Sequence, residues 1–364
     1  MTKAAELAKM KFGGRKNLVI NGAMNVAQRS TSVTGLGDGD EGYVTVDRIR
    51  HTAAASSGRF TSAQTAISDL PGFLNCLHLD CTTADTEIGS SELLKLEYRF
   101  EGQDVQRLKK GTSEAEKVTV SFFMKTNKAF TFMCELDDRD NNRVNVQQFT
   151  TSTSFTRHVI TFDGDTTGAL DDDNNASLSV GIYLHAGSDF TGGTYSANTW
   201  QSRASSDNMR AVGIGSFYDD TANDVKITGL QVEIGPEVSA FEDMSFGETL
   251  ALSYRYYYKL IIDSGADSFA VGSNNTTTTS EHSIIFPQTM RANPTAIETT
   301  GTAGDYQVVS AGTGTTCNAV PVFVRASFHT AYFRSGVASG LTAGEASIFR
   351  SISSDAFIAW DTEL

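Results

Sequence analysis

The stretch "LQVEIGPEVSAFEDMSFGETLALSYRYYYKL", residues 230–260, decides how this chain is organised. It opens as a strand, with Leu230, Val232 and Ile234 alternating along it. Gly235 and Pro236 then bend the chain. Ser245 to Glu248 has the S-x-x-E spacing of a capping box, and Leu250, Tyr254 and Tyr257 follow at helical spacing. The densest aromatic cluster of the chain comes next: Tyr254, Tyr256, Tyr257 and Tyr258. A helix start and an aromatic cluster set between two strand-rich regions read as a joint between two β-sandwich modules.

Working outward, the upstream region is built of alternating segments. "LKLEYRF" places Leu94, Leu96, Tyr98 and Phe100 on one face, and "VTVSFFMK" does the same with Val118, Val120, Phe122 and Met124. "FTFMCEL" repeats the pattern with Phe130, Phe132, Cys134 and Leu136, and "LSVGIYL" with Leu178, Val180, Ile182 and Leu184. A period of two with one apolar face is the signature of a half-buried strand. In "VKITGLQVEI" the apolar set changes phase at Gly229, which predicts a β-bulge there. Turn sequences such as "DDRDNN" (137–142) and "AGSDFTGG" (186–193) separate the strands and favour an antiparallel sandwich. Downstream, "HSIIF", "YQVV", "AVPVFVRASF" and "AFIAWDTEL" form a second strand set. At the other end, Ala4, Leu7 and Ala8 make a narrow helical stripe too short to be stable alone, so it must dock on something. The predicted fold is all-β: a jelly-roll β-sandwich over 16–244 and a smaller β-sandwich over 259–364. A short N-terminal helix covers 1–15 and a linker helix covers 245–258.

Charge narrows the partners. The 29 basic residues face 43 acidic ones, a net of -14 over 364 residues. This opposes nucleic-acid binding, which draws on basic groups that displace counterions, and leaves no polybasic patch for anionic lipid. No apolar run approaches membrane-spanning length, and the N-terminus has no secretory apolar core. Asp361 to Leu364 has the look of an ER-retention tail, which means nothing without a signal peptide. Cys76, Cys81, Cys134 and Cys317 match no zinc spacing and read as free buried thiols.

Motifs for catalysis are missing. There is no nucleophile elbow, P-loop or dinucleotide fingerprint, and the six histidines show no metal-ligand spacing. Asp138, Asp140 and Asn142 alternate like a calcium loop. Arg143 and Phe149 stand where such a loop needs its glycine and its bidentate glutamate, so a hairpin tip is expected. No cofactor or metal is assigned, although carboxylate-rich loops such as 171–173 keep calcium open. The loop "YSANTWQSRASSD" (195–207) carries the residue types that hold sugars: Tyr195, Asn198, Trp200, Gln201 and Arg203. Trp200 is either an exposed platform or a core residue beneath the loop.

Several stretches share one resemblance. "NLVINGAMNVAQRSTSVTG" with "YVTVDRIRH" resembles the opening of the carbohydrate-binding-module-like jelly roll of bacteriophage tail-fibre and related virion proteins. "EGQDVQRLKKGTSEAEKVTVSFFMKTN" resembles its next part, and "ITGLQVEIGPEVSAFEDMSFGETLALSYRYYYK" its closing strand and exit helix. "FPQTMRANPTA" and "ASGLTAGEASIFRSISSDAFIAWDTEL" resemble the small C-terminal β-domain of the same proteins, and "TKAAELAKM" their virion-attachment tip. The resemblance implies a non-enzymatic fibre on the tail or head of a virion, assembled in the host cytoplasm. It implies attachment to a host-surface glycan, a homotrimeric state, and a hold on another virion protein through residues 1–15. A purely structural decoration or collar appendage is the runner-up, and a polysaccharide depolymerase comes third. The dense aromatics of the second module read as surplus apolar area for a subunit interface, placed at Tyr256, Tyr257, Tyr258, Phe333 and Trp360.

Overall fold

The computed structural model describes residues 15–203, 207–261 and 267–364. The expected anchor stripe Ala4, Leu7 and Ala8 lies outside the described residues. Within them, the first unit has twelve strands. These are β1 (Ser32–Leu36), β2 (Arg50–Ala54), β3 (Arg59–Ala66), β4 (Asn75–Thr83), β5 (Leu93–Glu101) and β6 (Val118–Thr126). They continue with β7 (Thr131–Asp138), β8 (Arg143–Thr150), β9 (Thr156–Phe162), β10 (Ala176–Ala186), β11 (Gln201–Ser202) and β12 (Asp224–Ile234). All pair antiparallel, in two six-stranded sheets ordered β1-β3-β4-β12-β6-β9 and β11-β8-β7-β10-β5-β2. The alternating residues face inward as expected. Leu94, Leu96, Tyr98 and Phe100 meet Val120, Phe122, Met124, Cys134, Leu136, Val180 and Ile182 in one buried core. The four thiols are buried and unpaired.

The phase slip at Gly229 is a bulge. β12 pairs Thr228 with Phe123 of β6 and then skips to Gln231 with Ser121. Gly229 takes φ +64, and a Cβ there would stand 2.8 Å from the Phe123 ring. Only glycine fits both the left-handed backbone and the close ring.

The linker helix begins as read but is shorter, spanning Phe246–Ser253. Ser245 Oγ accepts the Glu248 N–H at 3.3 Å, and Glu248 Oε2 accepts the Ser245 N–H at 3.0 Å. Tyr257 and Tyr258 are not part of it. They open the second unit's first strand, β13 (Tyr257–Ile261), because they pair with Asp361 and Trp360 of the last strand. Aromatic residues on a pleated pair gain more contact than on a frayed helix end.

The second unit continues with β14 (Ser268–Asn274), β15 (Thr279–Ile285), β16 (Glu298–Thr299), β17 (Tyr306–Ser310) and β18 (Thr313–Thr316). β19 (Val322–Ala326), β20 (Thr330–Gly336), β21 (Ala346–Ser351) and β22 (Phe357–Asp361) complete it. A seven-stranded sheet, β18-β17-β21-β14-β15-β20-β19, faces a three-stranded one, β13-β22-β16. Their shared core holds Tyr258, Phe269, Phe286, Tyr306, Phe333, Phe349 and Trp360. This corrects the expected subunit interface. Tyr256, Tyr257, Phe333 and Trp360 are at most 2% exposed and Tyr258 8%, all within one chain. The module absorbs these aromatics because rings from both sheets interlock, as where Phe333 of the larger sheet lies 6.3 Å from Trp360 of the smaller one. Surplus apolar surface lies elsewhere. On the outer face of the larger sheet Val271 and Ile348 are paired neighbours, and Ile285 and Val322 are also exposed.

A buried ionic joint locks the two units together. Glu101, fully buried at the end of β5, accepts Arg255 Nε and Nη2 at 2.7 and 2.6 Å and the Tyr256 hydroxyl at 2.6 Å. The Arg48 guanidinium lies 3.5 Å above the Tyr256 ring, donates to the Arg99 carbonyl at 2.8 Å and pairs with Glu363. Arg29 covers the Tyr257 ring at 3.7 Å and pairs with Asp361 at 2.7 Å. Arg291 holds the Thr362 and Glu363 carbonyls on one side and the Asn174 carbonyl of the first unit on the other. The segment resembling a retention tail is a latch.

Removing one member of a buried ion pair leaves the other uncompensated. Glu101→Ala should therefore destabilise the chain by ~3 kcal/mol and unfold in two urea transitions where the parent chain unfolds in one; the same number of transitions in both would show that the joint does not couple the units. The buried histidines set an acid limit. Burial pushes His51 and His282 down to about 4. Both therefore stabilise fully above the unfolded value near 6.5, and that contribution is lost as pH falls through 4. Asp47, pushed up to about 6 by burial against the hydrogen bonds from Gln28, works in the opposite sense. The net loss between pH 6.5 and 4 should be on the order of 3 kcal/mol, read from melting curves at stepped pH.

Candidate functional site

The expected sugar loop is docked onto the first sandwich by its own polar groups. The Tyr195 hydroxyl accepts the Gln148 N–H at 3.0 Å. Asn198, at φ +50, accepts the Asp163 N–H at 2.9 Å and donates to its carboxylate at 3.0 Å. Gln201 pairs with Val144 where β11 meets β8. Arg203 donates to both Asp137 oxygens at 3.0 and 3.2 Å and to Asn142 Oδ1 at 2.5 Å. Trp200 is half-buried against the main core. Its indole N–H donates to the Asp163 carbonyl at 2.7 Å, and the Lys110 ammonium lies 5.4 Å from its ring. The structure thus brings these five residues onto one sheet edge but not into an open platform. The physical reason is that a long polar loop must satisfy its backbone and amides wherever it crosses a sheet.

The hairpin tip at 138–142 is a tie point of the same kind. Asp138 is buried, pairs with Lys110 and accepts the Asn141 N–H at 3.0 Å, while Asp140 accepts the Asp171 N–H at 2.8 Å. Among the described residues, no three of His, Cys, Asp and Glu converge as metal ligands would.

The outward face of the β11-β8-β7-β10-β5-β2 sheet carries the chemistry. Residues between the core positions point away from the core: Lys95, Glu97 and Arg99 on β5, Glu135 and Asp137 on β7, Ser179, Gly181 and Tyr183 on β10. The register sets them in rows, with Gly181 between Glu97 and Glu135, and Ser179 between Arg99 and Asp137. Glu97 accepts Arg99 Nε at 2.8 Å and Ser179 Oγ at 2.9 Å, with Lys95 Nζ at 3.3 Å. Glu135 accepts Arg210 Nε and Nη2 at 2.6 and 2.7 Å. Arg139 lies 3.5 Å from Glu97 and 3.8 Å from Asp137.

Burial raises the carboxyl of Glu97, but Lys95, Arg99 and Arg139 outweigh it and hold it well below the usual range. Glu135 is likewise held low against burial by Arg210 and Lys95. Asp137 goes the other way, raised by burial and by the charge of Glu135. Arg139 is lowered by burial and then by Arg99 beside it. The strip is bounded on one side by the docked loop, through Arg203. On the other side lies the tail, whose Leu364 carbonyl accepts Arg99 Nη1 at 2.9 Å and the Tyr43 hydroxyl at 3.0 Å.

None of the strip residues except Arg203 was expected. Their signal was in "LKLEYRF" and "FTFMCELDDR", where Lys95, Glu97 and Arg99, and then Glu135 and Asp137, alternate with core residues. The period-two pattern leaves those positions on the face away from the core, and only the sheet register shows that they meet one another.

No family model matches the chain, and no curated protein does. Some solved structures are similar to it. The enzymatically active domain of Bacteriophage CBA120 tailspike protein 4 gives a TM-score of 0.31 at 8% identity, over 60% of this chain and 21% of that one. TmCBM61 in complex with β-1,4-galactotriose gives 0.29 at 9% identity, over 60% and 99%. The family 11 carbohydrate-binding module from Clostridium thermocellum, with a mixed-linked tetrasaccharide, gives 0.27 at 10% identity, over 58% and 99%. Likenesses at this level carry nothing about ligand or activity, and the chain spans about a fifth of the tailspike. The jelly-roll sandwich stands on its own strand pairing.

Trp200 roofs the core edge. Trp200→Ala should lower stability by ~2–3 kcal/mol, below the full cost of emptying a buried tryptophan site because the ring is half-buried. A melting temperature within one degree of the parent would return Trp200 to the role of a free platform.

Proposed function

We propose that this chain is a non-enzymatic attachment protein of a bacteriophage virion, a tail or head fibre, whose first sandwich holds a host-surface glycan. The observation that carries the glycan reading is the strip of partly exposed donors between the docked loop and the tail. Arg99, Arg139 and Arg203 are 15%, 29% and 27% exposed there, on strands and a hairpin that packing holds rigid. Saccharide hydroxyls need convergent, preorganised hydrogen-bonding groups, and this face supplies them without rearrangement.

The virion role rests on the sequence resemblance. In this reading residues 1–15 hold the chain to another virion protein. Three copies associate through the exposed outer face of the second unit's larger sheet, where Val271 pairs with Ile348 and Ile285 and Val322 are also exposed, since apolar area on a sheet face is what a further copy would cover. The non-enzymatic part of this reading draws on the way the carboxylates of the strip are occupied. Glu97 and Glu135 are held ionised by cations and Asp137 is clamped by Arg203, so among the described residues each of these carboxylates is already paired with a cation.

Full-length protein should be retained by at least one polysaccharide on an array of bacterial surface glycans, and should scatter light as three times its 39.1 kDa chain mass. Retention by none, together with a monomeric mass, would leave a structural decoration as the better account.

A further inference from the structure

Among the described residues, the strip is basic on an acidic chain. Arg50, Lys95, Arg99, Arg139, Arg203 and Arg210 face Glu97, Glu135 and Asp137, with Glu41 meeting Arg50 at the rim. The chain as a whole carries -14. A local excess of cations against that background raises the positive potential over this face and favours a negatively charged partner there.

The arginines of the strip are not equivalent. Arg99 donates to Glu97 and to the Leu364 carbonyl, Arg203 to Asp137 and Asn142, Arg210 to Glu135, and Arg50 to Glu41 and Thr52. Arg139 has its two carboxylates only at 3.5 and 3.8 Å, and among the described residues its guanidinium donates no hydrogen bond. It is also the most exposed of them, at 29%. A guanidinium presents five N–H donors in a planar fork that matches an oxyanion. The like charges of Arg99 and Arg203 beside it, which help to lower its proton affinity, would be relieved by an anion seated there. The face offers little to a neutral sugar ring by comparison. Tyr183, its own aromatic side chain, is 1% exposed and cannot stack on a saccharide.

We infer that the ligand of this face is an anionic glycan, one whose sugars bear carboxylate, phosphate or sulfate groups, and that Arg139 binds the oxyanion. The inference rests on the glycan reading above and narrows it. Arg139 is a binding residue in this account, with Arg99 and Arg203 holding the field around it. Glu97 and Asp137 keep Arg99, Lys95, Arg203 and Arg210 as partners when Arg139 is removed, so its loss does not strand a buried charge.

The test uses the full-length chain on one array that holds neutral polysaccharides beside carboxylated, phosphorylated and sulfated ones, with sodium sulfate as a small-anion competitor. Retention should be confined to acidic polymers, and the retained class identifies the oxyanion. It should weaken several-fold between 50 and 300 mM NaCl, as charge contacts do when screened. Arg139→Gln should weaken it about tenfold, the scale of losing charge-assisted hydrogen bonds, with an unchanged melting temperature. Arg139→Lys, which keeps the charge but not the fork, should recover part of the loss. Retention of neutral polymers, unaffected by Arg139→Gln, would overturn the anionic assignment and leave glycan binding standing. Retention of no polymer would overturn both. Displacement by millimolar sulfate as effective as by the polymer would mean an ion site only, and would also overturn the assignment.

Discussion

The buried carboxylate of Glu101 organises this molecule. Taking a charge out of water costs several kcal/mol unless partners replace the lost hydration. Here the partners, Arg255 and Tyr256, come from the far side of the linker helix. Satisfying Glu101 therefore requires the second unit to stand in one place. Once Tyr256 is fixed, its ring receives Arg48, and Arg48 in turn binds Glu363. Arg48 itself has φ +71, a backbone state that costs about 1–3 kcal/mol for a bulky residue and persists only where surroundings over-determine it. The strained residue sits at the centre of the joint.

The same strand connects the joint to the candidate site. β5 turns Leu94, Leu96, Tyr98 and Phe100 into the core and Lys95, Glu97, Arg99 and Glu101 outward. Glu101 holds the second unit, Arg99 holds the end of its tail, and Glu97 anchors the strip. A face assembled from central strands and bounded by a latched tail is preorganised, so a ligand does not have to order it. Gly181 contributes by absence, since a Cβ there would press on the Lys95 side chain at 2.9 Å and displace the ammonium from its carboxylates.

The loop that carries Trp200 shows how residue type misleads. Tyr, Asn, Trp, Gln and Arg are the side chains that bind sugars, and they are equally the side chains that fasten a long loop to a sheet. Asn198 reaches Asp163 across 35 residues and Arg203 reaches Asp137 across 66. No local pattern announces such contacts. The tyrosines at 256–258 follow the same logic: an aromatic run reads as sticky surface until the strand that covers it, more than 100 residues later, is in place.

What the sequence alone determined is local. Strand positions and core faces follow from period-two alternation, the bulge from a glycine at a phase slip, and the helix start from Ser245 and Glu248 three residues apart, because each depends on neighbours within a few residues. What only the tertiary structure decided is the fate of the polar and aromatic residues between those landmarks. Lys95, Glu97, Arg99, Glu135 and Asp137 could have been an ordinary wet strand face. They become a buried ionic strip because the register sets β5, β10 and β7 side by side and Arg203 and Arg210 are brought over them. The pairing of Glu101 with Arg255 spans 154 residues. Coulomb energy and desolvation depend on distance in space, and distances of that kind exist only after the chain has folded.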